Sequence, residues 1–127
     1  MKKSIKKIVA MGMMAVLISS NAIAVSAQTK SAKVNGINFN VFSNFSGTMA
    51  SSGTVSSSPN LKAKVTSTYN YIDLKSYDTK TVTKSQNGAA TATLSFSTPK
   101  KCKSVSISSK HVASSGGDTW SGSTYES

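Results

Sequence analysis

The chain has 127 residues, a formal net charge of +11, one cysteine and one histidine. A single cysteine excludes an internal disulfide framework, and one cysteine with one histidine cannot supply the ligands of a structural zinc site. Every basic residue is a lysine, so the bidentate arginine contacts that identify nucleic-acid bases are absent. We expect no nucleic-acid partner, no metal site and no cofactor.

The first 27 residues have the pattern of a cleaved signal peptide. Four lysines among the first seven residues precede an apolar stretch from Ile8 to Ile18. That stretch has a length typical of signal peptides and is shorter than the about 20 residues that span a membrane. Small residues then predict cleavage between Ala27 and Gln28, with cleavage after Ala24 as the alternative. We therefore expect a bacterial protein that is secreted, or loosely attached to the cell wall, without an integral membrane segment after cleavage.

Residues 28–127 have the length of one domain and few residues for its core. Leu, Ile, Val and Phe number 17 among these 100 residues, and 11 lysines stand against four acidic residues. The apolar share lies below the about 20% under which charged chains tend to be disordered. A regular two-residue alternation nevertheless argues for a folded domain, because a disordered chain has no need of that period.

Two segments in the N-terminal half alternate between apolar and polar residues, as half-buried strands do. The apolar positions are Ile37, Phe39 and Val41 in the first segment and Leu61, Ala63, Val65, Tyr69 and Tyr71 in the second. Between them, the glycine-interrupted segment 46–59 predicts a weaker pair of strands or a loop.

Residues 79–108 predict a three-stranded antiparallel meander. Segment 90–97 alternates, and segment 103–108 alternates in the opposite phase, so a hairpin closing at 98–101 would pair Leu94 with Val105. The Asn-Gly pair at 87–88 favours a second hairpin with a three-residue loop, which aligns the apolar faces.

One face of this meander would be apolar and the other covered by hydroxyl groups. The apolar residues are Val82, Ala90, Ala92, Leu94, Phe96, Val105 and Ile107. The hydroxyl residues are Thr81, Thr83, Ser85, Thr91, Thr93, Ser95, Ser97, Ser104, Ser106 and Ser108. We expect the second set to form an outer, solvated face.

Six or seven short strands, with no helical period after residue 27, predict a small antiparallel β-sandwich, and an immunoglobulin-like arrangement is one form of it. The segment 116–127 is either an edge strand carrying Trp120 or a flexible tail.

Two groups of lysines are the candidate binding residues. Lys62 and Lys64 share the polar side of one predicted strand, and Lys100, Lys101 and Lys103 surround a predicted turn. Such lysines either keep a protein soluble and protect strand edges, or attract an anionic cell-wall polymer or an acidic membrane surface.

Cys102 lies among these lysines and is the candidate reactive thiol, exposed on the hydroxyl face beside Ser97. An unpaired cysteine outside the cell also offers a route to a disulfide-linked dimer. A dyad with His111 is not expected, because nine residues of one strand span about 30 Å. The four acidic residues show no pairing for catalysis, so we predict that the protein is not an enzyme.

The composition and the predicted fold favour a secreted, non-catalytic binding protein. Its partner would be an anionic cell-wall polymer, an acidic membrane surface or another secreted protein. The alternative is a cationic bacteriocin-like or toxin-like protein acting on competitor membranes. Retention on isolated walls that salt reverses would favour the first hypothesis, and loss of membrane potential in target cells would favour the second.

Overall fold

The computed structural model describes residues 26–127, with side chains from residue 28 onward. The predicted signal peptide, except for its last two residues, lies outside this range, and secretion stays a prediction. The described residues form eight strands and no helix, and so contain no helix that could cross a membrane. The strands are β1 (Ser26–Val34), β2 (Ile37–Phe45), β3 (Met49–Val55), β4 (Lys62–Asp73), β5 (Thr79–Ala89), β6 (Thr91–Ser97), β7 (Cys102–Ser115) and β8 (Asp118–Glu126).

The eight strands form two antiparallel sheets that pack face to face, which confirms the all-β prediction. The first sheet has the order β1-β2-β3-β6 and the second has the order β5-β4-β7-β8. Neither order is that of an immunoglobulin domain, whose sheets hold strands A-B-E-D and C-F-G, so the immunoglobulin-like arrangement is wrong. The chain crosses between the sheets after β3, after β5 and after β6. As a result, β3 and β6 are neighbours in the first sheet, and β4 and β7 are neighbours in the second.

The predicted meander over 79–108 is wrong, because its three strands do not pair with one another. Strand β6 pairs with β3 in the first sheet, whereas β7 lies between β4 and β8 in the second. Leu94 is buried as predicted, but its partner is Ser52 and not Val105. A register shift opposite Asn70 and Tyr71 leaves Val105 without a paired residue, and its side chain is 40% exposed.

The Asn-Gly pair at 87–88 also differs from its prediction. Asn87 pairs with Lys64 inside β5, so no turn forms there. Gly88 is needed for space instead, because a Cβ atom at this position would lie 2.2 Å from the carbonyl oxygen of Thr91. The chain changes sheet at Ala90, whose φ of 66° places it in the left-handed region.

A different Asn-Gly pair makes the tight hairpin of the fold. Asn35 and Gly36 join β1 to β2 with φ values of 48° and 77°. Two successive positive φ values define the two-residue turn whose twist matches that of antiparallel strands. The pair Gly116-Gly117 connects β7 to β8 in the same way, with φ values of 58° and 90°.

The apolar core lies between the sheets and includes the alternating positions predicted in the N-terminal half. Its buried members are Val34, Phe39, Val41, Ala50, Leu61, Ala63, Val65, Tyr69, Ala92, Leu94, Phe96, Ile107 and Ala113. The segment 118–126 is the edge strand β8, and its Trp120 packs edge-on against Phe39 with ring centroids 5.0 Å apart. Tyr71 is partly buried against the same core.

A buried polar chain of seven side chains crosses the middle of this core. Its order is Ser52, Ser67, Ser109, Ser43, Thr124, His111 and Thr54, each hydrogen-bonded to the next at 2.5–3.1 Å. Thr54 ends the chain by donating to the carbonyl oxygen of Lys64 at 3.0 Å. The chain passes repeatedly between the two sheets, so hydroxyl groups supply part of the cohesion that the scarce apolar residues cannot.

The hydroxyl face predicted for 79–108 is therefore only partly correct. Ser104 and Ser106 are buried, at 6% and 5% exposure. Ser104 is hydrogen-bonded to the hydroxyl of Tyr69, and Ser106 accepts a hydrogen bond from the side-chain amide of Asn70. The bulge at Val105 is the physical reason for Ser104, because one unpaired residue reverses which side of the strand faces the core. Ser106 stays on the outer side of the sheet, where its hydrogen-bond partner Asn70 covers it.

Two lysines form hydrogen bonds from one sheet to the other at the two sides of the sandwich. Lys84 of β5 donates to the carbonyl oxygen of Ser95 in the opposite sheet at 2.9 Å, and its ammonium lies 4.9 Å from the centroid of the Phe96 ring. On the other side, Lys30 of β1 donates to the carbonyl oxygen of Ser123 at 2.8 Å. These two lysines make contacts within the fold, which distinguishes them from the candidate binding lysines.

Candidate functional site

Three connecting segments meet at one end of the sandwich: 46–48, 74–78 and 98–101. We call this the loop end. Backbone hydrogen bonds join the segments across the two sheets: Leu74 donates to the carbonyl of Lys101, Thr98 to that of Thr48, and Ser104 to that of Gly47, all at 2.8–2.9 Å. The loop end is therefore a preformed surface, because each segment is held by another.

The segment 74–78 is also ordered from within. The side-chain Oδ1 of Asp73 accepts hydrogen bonds from the backbone N–H groups of Lys75 and Ser76 at 2.8 and 3.2 Å. These bonds, with a smaller effect from nearby lysines, lower the pKa of the Asp73 carboxyl. The Tyr77 N–H donates to the Asp73 carbonyl at 2.7 Å, which completes the turn. The carboxylate of Asp73 therefore stabilises the conformation of the loop that follows it.

Five exposed lysines surround the loop end, and the three predicted around 98–101 are among them. They are Lys75, Lys80, Lys100, Lys101 and Lys103. Asp73 and Asp78 are the acidic residues of the same segments. Five lysines against two carboxylates leave a local excess of three positive charges, so the loop end is electropositive.

Four of the five large hydrophobic side chains that are exposed in residues 28–127 lie in the loop end or within four residues of its segments. Met49 and Val105 are each 40% exposed, Leu74 is 48% exposed and Tyr77 is 73% exposed. The fifth, Tyr125, is 55% exposed and lies in β8, outside the three segments, where it pairs with Ser108 of β7. The sequence pattern missed this cluster, because alternation assigned Val105 to the core and no periodicity identifies residues in loops. The exposure of Val105 depends on the bulge in β7, where the alternation between core-facing and outward-facing residues reverses.

The other candidate lysines lie at the opposite end of the second sheet. Lys62 and Lys64 share the outer side of β4, and Lys110 lies on the same side of the neighbouring strand. Lys62 pairs with Ser114, whereas Lys103 pairs ten residues further along β4. At about 3.3 Å per residue, the two groups are separated by roughly 30 Å. The five predicted lysines therefore form two separate basic surfaces.

Cys102 is half-buried at the start of β7, opposite Asp73. The bulge at Val105 places it on the same side of the strand as Ser104, which faces the core, and its thiol lies close enough to affect the electrostatics of Tyr69. The exposed position expected beside Ser97 is therefore wrong. The bulge also places Cys102 and His111 on the same side of β7, nine residues apart.

His111 is fully buried and lies between Thr124 and Thr54 in the polar chain. Its Nδ1 is hydrogen-bonded to Thr54 at 3.1 Å and its Nε2 to Thr124 at 2.7 Å. Burial, followed by the nearby charge of Lys30, lowers the pKa of His111 from 6.5 to about 4. The imidazole is thus neutral at physiological pH and out of reach of any substrate. Within the described range, no group of three or more histidine, cysteine or acidic side chains could hold a metal ion.

Comparison with protein-family models, with curated proteins and with solved structures gives no match to this chain. The chemistry of the chain's own surface is therefore the guide to its function. The loop end is the part of that surface where charge, exposed apolar area and preformed backbone geometry coincide.

Proposed function

We propose that this protein is secreted and is a non-catalytic module that binds the anionic surface of a cell envelope through its loop end. The observation that supports the proposal is the clustering of five exposed lysines on loops that hydrogen bonds tie together. The groups that would be bound are phosphates, which occur both in anionic wall polymers and in acidic lipid headgroups.

The expected strength of such binding follows from the number of charges. Each lysine near an anionic membrane surface contributes about 1 kcal/mol. Five such contacts are individually weak and together give reversible attachment. The loops are already ordered by the bonds to Asp73 and Lys101, so attachment does not have to offset the entropy of folding them.

The test uses isolated cell walls and acidic lipid vesicles over a range of salt concentrations. Screening shortens the reach of each charge from about 30 Å at 0.01 M salt to about 8 Å at physiological ionic strength. We expect binding to fall steeply over this range. Reversing two charges at the loop end, Lys100→Glu with Lys101→Glu, should weaken binding at every salt concentration without lowering the melting temperature.

A matched control separates the loop end from net charge. The pair Lys62→Glu with Lys64→Glu changes the net charge of the protein by the same amount on the other basic surface. We expect this control to bind almost as well as the wild type. Equal losses in both double variants would show that the protein has no localised contact surface, and binding that ignored salt and survived both reversals would refute the proposal.

The second hypothesis, a cationic toxin-like protein acting on competitor membranes, gains support from the exposed apolar side chains at the loop end. A toxin of this kind would release an entrapped dye from acidic vesicles and collapse the membrane potential of target cells. A binding module would attach to the same vesicles and leave them sealed. Dye release measured together with binding therefore separates the two hypotheses.

A further inference from the structure

We infer that the loop end docks on an acidic phospholipid bilayer, with Leu74 and Tyr77 entering the interface between headgroups and acyl chains and Met49 and Val105 at its border. This inference rests on the proposed function and names the partner of the same surface. It commits to a lipid, whereas the charge alone would suit any phosphate-bearing polymer.

The distribution of exposed apolar side chains points to a lipid. Leu74 and Tyr77 lie in the segment 74–78, which also carries Lys75 and is hydrogen-bonded to Lys101, and Met49 and Val105 lie one and four residues beyond the segments 46–48 and 98–101. A soluble polyanion would contact the lysines, but it offers no apolar region in which the neighbouring aliphatic side chains could be buried. A bilayer interface takes both, because headgroup phosphates attract the ammonium groups while the boundary of the acyl chains accepts apolar side chains.

The backbone at Tyr77 supplies a second, independent observation. Its φ is 63°, in the left-handed region that glycine or asparagine adopts readily and that strains a bulky residue. Its side chain is 73% exposed, so burial within the protein does not compensate for that strain. Strained residues of this kind are often held at binding sites. A tyrosine held outward in a strained turn is suited to a contact made outside the protein.

The strain also gives a test that separates binding from folding. Tyr77→Gly removes the ring and relieves the left-handed conformation, so it should raise the melting temperature or leave it unchanged. If the ring enters the bilayer, the same variant should bind vesicles more weakly. A purely structural role for Tyr77 predicts no change in binding.

The experiment measures cosedimentation of the protein with vesicles of phosphatidylglycerol and phosphatidylcholine, and with vesicles of phosphatidylcholine alone. We expect binding only with phosphatidylglycerol present. Tyr77→Gly and Leu74→Ser should each lower the partition coefficient by about fivefold, because each removes a large side chain whose apolar surface would be roughly half buried in the bilayer. Tyr125→Ser removes an exposed aromatic ring from β8, outside the three connecting segments, and should leave the partition coefficient unchanged.

The outcomes distinguish the lipid inference from the proposed function of the loop end. Loss of binding in Tyr77→Gly and Leu74→Ser but not in Tyr125→Ser, with melting temperatures preserved, would establish the lipid contact. Wild-type binding in both apolar variants, with loss only after charge reversal at Lys100 and Lys101, would overturn the inference and leave the proposed function standing. Retention on isolated walls without any vesicle binding would do the same. Absence of salt-dependent binding to walls and vesicles alike would overturn both.

Discussion

Mild acid should destabilise this protein through its one histidine. His111 is fully buried and its two ring nitrogens bind the hydroxyl groups of Thr54 and Thr124. In the unfolded chain the imidazole takes up a proton near pH 6.5, whereas burial holds its folded-state pKa at about 4. Between these two values the unfolded state binds more protons than the folded state, so the free energy of unfolding falls as the pH falls.

The size of the effect follows from the two pKa values. One pH unit of difference corresponds to about 1.4 kcal/mol. The stabilisation is present well above pH 6.5, is reduced by about 2 kcal/mol near pH 5 and is reduced by about 3 kcal/mol near pH 4. A small domain has a total stability of about 5–15 kcal/mol, so this loss is large and still leaves a folded protein to measure.

The assay is urea denaturation of the wild type and of His111→Gln at several pH values between about 7 and 4. Glutamine keeps one donor and one acceptor at this position and does not titrate, although its own packing lowers the stability of the variant at every pH. The quantity of interest is therefore the pH dependence. We expect the wild-type midpoint to fall by about 1–3 M urea more than that of the variant, from a slope of about 1–3 kcal/mol/M.

Two results would refute this reasoning. One is the same pH dependence in the wild type and in His111→Gln. The other is a folded-state imidazole that titrates near 6.5, which NMR can detect without ambiguity because the chain contains a single histidine. The Asp73 carboxyl does not confuse the comparison, because its lowered pKa affects stability only below its ordinary value of 3.8.

Four further outcomes are expected. Leu94→Asp should abolish the cooperative melting transition, because burying a charge in this small core costs more free energy than the domain's total stability. A wild-type melting curve would contradict the core position of Leu94. Gly88→Ala should lower the free energy of unfolding by about 1–3 kcal/mol, because its Cβ would lie 2.2 Å from a backbone oxygen. Gly47→Ala, which has no atom within 4 Å of its added Cβ, should be almost neutral. N-terminal sequencing of protein from the culture medium should begin at Gln28, or at Val25 if the earlier site is cleaved, and not at the initiator methionine.

Local pattern was sufficient to identify most strands. The alternation over 37–41 and 61–71 correctly predicted which side chains face the core, because a strand turns successive residues to opposite sides whatever it pairs with. The buried positions of Leu94 and Phe96 follow from the same rule. Alternation does not reveal β1, and the Asn-Gly pairs at 35–36 and 87–88 give the same local signal although only the first forms a turn.

The pairing of strands, and with it the candidate site, depended on the tertiary structure. Segments 90–97 and 103–108 alternate as a hairpin would, yet the connection at 98–101 crosses between sheets, and alternation is the same in both cases. The bulge that exposes Val105 arises from pairing with Asn70 and Tyr71 of β4, a strand far away in the sequence. Likewise, the lysines and exposed apolar residues of the loop end come from three separate segments. The amino-acid sequence by itself determined the strands and the positive charge, whereas long-range pairing decided which of those residues share a surface.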